Sequence, residues 1–216
     1  MSLITVQNAL ARIYTDSKLR DDFLTNPDVV GRTLRLNCVE IQQLSKLSSQ
    51  EVNMFANSLK QKRLGEIRKL LPLTVKVLEG EFNKLFFQYA ETYLPNKNNK
   101  HLEDAIAFTE FILNKPPEDI NSSLVSDVLL YEHRRLKAIG SNKLIMFDRF
   151  NYSLQSLINN LQTANLLSTP KLAPQKNLTI WFRLTSRNKW RLITIPIINL
   201  QFLKNKIWWK NFQQVS

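Results

Sequence analysis

One cysteine, four glycines and two histidines are the chain's whole supply of three residue types on which compact catalytic and metal-binding motifs lean. A lone cysteine, Cys38, forbids an internal disulfide and fits a reducing compartment. Gly31, Gly65, Gly80 and Gly140 are too few and too scattered for a glycine-dependent phosphate loop or a tightly turned β-sandwich. No Walker loop, dinucleotide fingerprint or nucleophile elbow is present. His101, His133 and Cys38 exhaust the nitrogen and sulfur ligands, which leaves a four-ligand structural zinc site short of donors. Long apolar runs are missing too. Leu70–Leu78 is broken by Lys76, and nothing approaches the roughly 18–20 apolar residues that cross a bilayer. Met1 to Asp16 has neither a basic start nor a continuous apolar core, so no secretory signal is expected and the chain reads as cytoplasmic.

Acidic residues are scarce in one place above all. From Ser141 to Ser216 there are eleven Lys and Arg but a single acid, Asp148, whereas residues 1–140 carry nineteen cations against seventeen acids. All four tryptophans, Trp181, Trp190, Trp208 and Trp209, also fall in that last third. A basic, aromatic-rich end on a nearly neutral body predicts an acidic partner. With 44% hydrophobic residues over 216 positions, the chain has enough apolar surface for a core and suits one large domain or a main domain with an appendage.

Residues 1–140 read as helices. Leu3, Val6, Leu10 and Ile13 recur at helical spacing, Asp16 or Ser17 caps the next segment, and Asn26-Pro27 marks a break with Pro27 in a first turn. Asn37 is a further cap. The longest helix is expected from about Ser49. Pro72, inside a pattern that stays apolar, requires a kink or a restart, because a mid-helix proline costs roughly 3 kcal/mol. After Gly140 the periodicity changes. Leu144–Phe150 reads as a strand, and Leu154–Leu167 as an amphipathic helix. Leu178–Leu184 alternates and is followed, beyond Thr185–Lys189, by Trp190–Ile195; the pair reads as a β-hairpin. The expected fold class is therefore α+β: a multi-helix N-terminal domain over 1–140, then a small basic module over 141–216 with its hairpin at about 178–196 and an amphipathic tail.

The spacing Phe55-x3-Leu59-x3-Arg63, then Leu70-Leu71-Pro72, Gly80-x-Phe82, Leu85-Phe86-x2-Tyr89, the run from Phe108 to Leu113 and Leu130-Tyr131-Glu132 resembles a helical bacterial family often described as DNA-binding. That family occurs as the N-terminal domain of proteins encoded beside multinuclear non-haem iron oxidative enzymes. The resemblance covers roughly residues 45–136, and the hairpin is similar to the C-terminal portion of some actinobacterial and cyanobacterial relatives. It implies a partner or adaptor role, helping an iron-dependent enzyme meet a peptide substrate, and transfers no catalytic residue.

The chemistry-bearing residues favour binding over catalysis. Cys38 would need His101 or His133 as a base; the alternative is a small apolar residue in a short helix and two surface histidines. Glu79/Glu81, Glu103/Asp104 and Glu118/Asp119 lie near helix ends, where acids cap and solvate, so no metal and no cofactor is expected. Glu132-His133-Arg134-Arg135 reads as a solvated face with local ion pairs. Lys60-Gln61-Lys62-Arg63, extended by Arg68 and Lys69, is a possible phosphate-contacting edge interrupted by Glu66.

The hairpin offers more. Arg183, Arg187, Lys189 and Arg191 flank Trp181 and Trp190 within eleven residues, combining forked donors with stacking surfaces. Such a face serves an extended acidic peptide or single-stranded nucleic acid; otherwise the tryptophans pack on the helical body and the cations only keep it soluble. In the tail, Lys204, Lys206, Trp208, Trp209 and Lys210 fit an anionic membrane surface or docking on the chain's own domain. The functional expectation is a non-enzymatic adaptor for a protein or peptide partner, with nucleic-acid binding and peripheral membrane attachment as alternatives.

Overall fold

The computed structural model describes residues 3–94, 100–114, 123–139, 141–163, 173–185 and 189–197. In chain order the elements are α1 (Leu3–Thr15), α2 (Ser17–Thr25), α3 (Pro27–Thr33), α4 (Cys38–Leu44), α5 (Ser49–Leu70), α6 (Pro72–Leu78), α7 (Gly80–Thr92), α8 (Lys100–Asn114), α9 (Ser123–Ile139), β1 (Ile145–Phe150), α10 (Leu154–Thr163), β2 (Asn177–Phe182) and β3 (Arg191–Pro196). The fold is α+β, mostly helical with a small antiparallel sheet near the C-terminus. No helix among the described residues is long and apolar enough to cross a membrane.

Two compact units emerge, one from 1–69 with 83–104, the other from 70–82 with 105–216. In the first, short helices begin where a polar side chain satisfies the otherwise unpaired amides of the first turn. Asp16 accepts from the Leu19 amide at 2.9 Å. Asn26 caps α3, with Pro27 at its first position. Asn37 and Glu40 close a reciprocal capping box at 2.9 Å each way. Ala9, Ile13, Phe23, Ile41 and Val52 form the core beneath these helices. Gly31 lets α3 lie against α4, since a Cβ there would stand 2.5 Å from the Ile41 side chain.

In the second unit Pro72 produces a restart. α5 ends at Leu70, Leu71 leaves the helical region (φ −122°, ψ 52°), and Pro72 takes the first position of α6, where its missing amide hydrogen costs nothing. The cap comes from a distant side chain. Glu132 of α9 accepts from the Leu73 and Thr74 amides at 3.0 and 2.8 Å. Leu73, Val128, Phe150, Leu154, Leu157 and Leu161 pack as one core cluster.

Residue 140 is not where these units divide. α9 and the sheet share a cluster of Ala138, Met146 and Trp181, with Tyr131 and Trp190 against it. Apolar contacts therefore run straight through the boundary that the change in composition proposed. Charge composition tracks the surface, whereas the units follow the apolar contacts.

The Glu132–Arg135 run is also not a solvated face. Glu132 caps α6. Arg135 donates to the Leu70 carbonyl at 2.6 Å. Arg134 grips Asp148 of β1 with its Nε at 2.8 and 3.0 Å from the two carboxylate oxygens. His133 is buried beside Thr109 at 2.8 Å. Four consecutive polar residues point in different directions around α9, and each meets a separate neighbour inside this unit.

Candidate functional site

β1, β2 and β3 form an antiparallel sheet in that order. Side chains alternate between faces with a period of two, and the register sorts them. One face carries the rows Ile145–Phe182–Arg191, Phe147–Ile180–Ile193 and Arg149–Leu178–Ile195. The other carries Met146–Trp181–Leu192, Asp148–Thr179–Thr194 and Phe150–Asn177–Pro196. Burial along β1 and β2 alternates in step: Met146, Asp148, Phe150, Asn177, Thr179 and Trp181 are buried.

The residues named from the sequence therefore separate. Trp181 is only 2% exposed and stacks on Tyr131, ring centroids 5.7 Å apart. Arg183 is 7% exposed; its Nε donates to the Lys143 carbonyl at 2.9 Å and its Nη2 to the Ser141 carbonyl. The guanidinium also lies 4.5 Å over the Trp190 ring centroid, and Trp190 donates its indole hydrogen to the Ala138 carbonyl at 3.1 Å. Trp181, Arg183 and Trp190 thus bind the hairpin to the end of α9 and are not a free recruiting surface. A buried guanidinium satisfied by carbonyls is a structural tie, since its charge would otherwise be costly to desolvate. Lys189 and Arg191 are exposed. Arg187 and the tail positions Lys204, Lys206, Trp208, Trp209 and Lys210 lie outside the described residues.

The opposite face was not singled out from the sequence. Ile145 is 54% exposed, Phe147 60% and Ile193 50%. Arg149 and Arg191 stand at diagonal corners of the register, exposed and without an ion pair among the described residues. Seven of the nine positions in its three rows are apolar, and contiguous exposed apolar surface with a charged rim is characteristic of interaction sites. One sequence signal pointed towards this orientation. Asp148 is the only acid of the last third, and a single acid amid cations is a candidate for a buried pair. Its pairing with Arg134 turns Met146 and Phe150 inward and Ile145, Phe147 and Arg149 outward.

The candidates for other chemistry stand apart from this sheet. Cys38 is exposed at the first position of α4. Among the described residues no cluster of three His, Cys, Asp or Glu side chains converges to hold a metal ion. Asp104, read from the sequence as a helix-end acid in water, is buried and accepts from Arg63 Nε and Nη2 at 3.0 and 2.8 Å.

His133 is not a surface histidine. Thr109 gives its hydroxyl hydrogen to the Ile106 carbonyl at 2.7 Å, so its oxygen accepts and the His133 Nδ1 carries the proton of that bond. Burial, and then the nearby Lys137, hold the imidazole below its ordinary range. A base with a depressed folded pKa takes up its proton more readily in the unfolded chain. Stability is accordingly expected to fall as pH drops below about 6.5, the ordinary imidazole value. In urea titrations at pH 7.5 and 5.5, His133→Asn, which keeps a donor towards Thr109, should reduce this loss; an unchanged pH slope would remove His133 as its source.

No family model matches the chain, and no curated protein matches it.

Proposed function

We propose that the chain is a non-catalytic adaptor that holds an extended segment of a protein partner against the outward sheet face and along one of the sheet's open edges. The observation carrying this reading is the three-row apolar face of β1, β2 and β3 with arginines at two corners. β1 and β3 each have one neighbour strand among the described residues, and an edge strand has backbone groups free to pair with an added strand. Lys189, Arg149 and Arg191 favour a segment that mixes acidic with apolar residues. The resemblance over residues 45–136 supports the same reading, with the helical body docking an iron-dependent peptide-modifying enzyme. The nucleic-acid reading loses its main support, because Trp181 is buried and Arg183 is tied to carbonyls.

Fluorescence anisotropy with a labelled peptide of alternating acidic and apolar residues tests the proposal. Binding in the range of about 10–100 μM is expected, and it should be abolished when proline replaces the peptide's central residues, because strand addition uses their amides. Phe147→Asp combined with Ile193→Asp should weaken binding roughly tenfold or more, with the melting temperature nearly unchanged since both side chains are exposed. Equal affinity of the double variant, or preferential binding of an oligothymidylate with a steep loss in salt, would sink the adaptor reading.

A further inference from the structure

Independently of the sheet, the first compact unit contains a cavity of about 390 Å³, within the size range of small-molecule sites. Its walls come from three helices, each contributing side chains at helical i, i+3 or i, i+4 spacing. α1 supplies Arg12 and Thr15, α5 supplies Leu59 and Lys62, and α8 supplies Lys100 and Asp104. Leu94 and Ala11 add apolar surface.

The electrostatics are one-sided. Asp104 is the only acid lining the cavity among the described residues, and its charge is already committed. Arg63 binds it through two parallel hydrogen bonds at 3.0 and 2.8 Å, and the Tyr89 hydroxyl donates to it at 2.8 Å. Arg63 is in turn anchored to the Tyr93 carbonyl at 3.1 Å, so this pair forms a fixed, electrically balanced wall. Burial and the Asp104 carboxylate push the Tyr89 phenol far above its ordinary range, which keeps it a donor. The nearby Glu66 is held by Lys69 at 2.8 Å. Arg12, Lys62 and Lys100 make no ion pair among the described residues.

Three uncompensated cations around a hollow with leucine on its walls suit a ligand that has an anionic head and an apolar body. Guanidinium grips a phosphate with two parallel bonds and ammonium adds point charges, while Leu59 and Leu94 offer nothing to a fully hydrated ion. We infer that this cavity binds a small organic phosphate, its phosphoryl group on Arg12, Lys62 and Lys100 and its apolar part against Leu59 and Leu94.

Isothermal titration of the full chain with phenyl phosphate, inorganic phosphate and benzyl alcohol tests this. Phenyl phosphate is expected to bind with a Kd below about 1 mM, several-fold tighter than inorganic phosphate, and benzyl alcohol not measurably at about 10 mM. Arg12→Gln with Lys100→Gln should weaken phenyl phosphate roughly tenfold. Lys18→Gln with Lys46→Gln removes the same charge from exposed positions away from the cavity lining and should leave binding unchanged. All four side chains are exposed, so the melting temperature of the unliganded variants reports that the fold is retained. The inference is overturned if phenyl phosphate fails to bind, if it binds no better than inorganic phosphate, or if the two double variants lose affinity equally.

Discussion

Changing Trp181 to alanine is expected to destabilise the second unit by about 3–5 kcal/mol, the cost of deleting a fully buried large aromatic. At about 2–4 °C per kcal/mol for a chain of this size, the melting midpoint should fall by on the order of 10 °C. The indole fills the space between Tyr131, Ala138 and Met146, so its removal opens a void at the junction of α9 and the sheet. Its Nε1 hydrogen has no partner among the described residues, and Trp181→Phe therefore orphans no acceptor there and should lose far less. Thermal melts followed by far-ultraviolet circular dichroism distinguish the two. An alanine variant as stable as the parent would mean that the indole is not packed as described and would return Trp181 to the candidate ligand-binding residues.

The second large effect is expected at Glu132. Its side chain is almost fully buried and accepts the two amides that open α6, with Arg135 Nη2 3.7 Å away. Glu132→Ala leaves both amides without an acceptor in the interior, at about 1–3 kcal/mol each, for a total on the order of 4 kcal/mol. Glu132→Gln keeps one acceptor oxygen and the volume, and should lie between alanine and the parent.

The pH dependence provides a separate check. Burial raises the Glu132 carboxyl above its ordinary range, although the Leu73 and Thr74 amides pull it back. The folded chain thus keeps a proton that the unfolded chain releases. The contribution of this group to stability is greatest below about pH 4.3 and declines as pH rises towards its folded value. That slope opposes the one from His133, and Glu132→Gln should remove it in urea titrations between about pH 4 and pH 7. A glutamine variant with the parent's pH profile would contradict this assignment.

Local signals in the sequence carried most of the secondary structure. Asp16, Asn26 and Asn37 cap the helices they precede, Pro72 starts a helix, and the alternation of Leu178–Leu184 marks β2, because each of these depends on neighbours within a few residues. The partners of α9 were not visible in this way. Glu132 meets amides some sixty residues upstream, and no spacing rule announces such a pair. The orientation of the hairpin also escaped. Both faces of β2 hold apolar and β-branched residues, so alternation defines two sides without saying which is buried, and the sequence leaves both orientations of the cationic, aromatic side open. Pairing with β1 decides the matter through Met146, Asp148 and Phe150, and that pairing brings together residues about 27 to 37 positions apart. The outward face of Ile145, Phe147 and Ile193 became visible only when the third strand was in place.

Cys38 carries a practical consequence. It is the sole thiol of the chain, and it is exposed in the first unit, while every indole follows residue 180. A maleimide acceptor dye on the unmodified protein would therefore form a natural energy-transfer pair with the tryptophan fluorescence. Without engineering a single residue, changes in transfer efficiency on adding phenyl phosphate or a peptide would report whether an event in one unit is felt in the other.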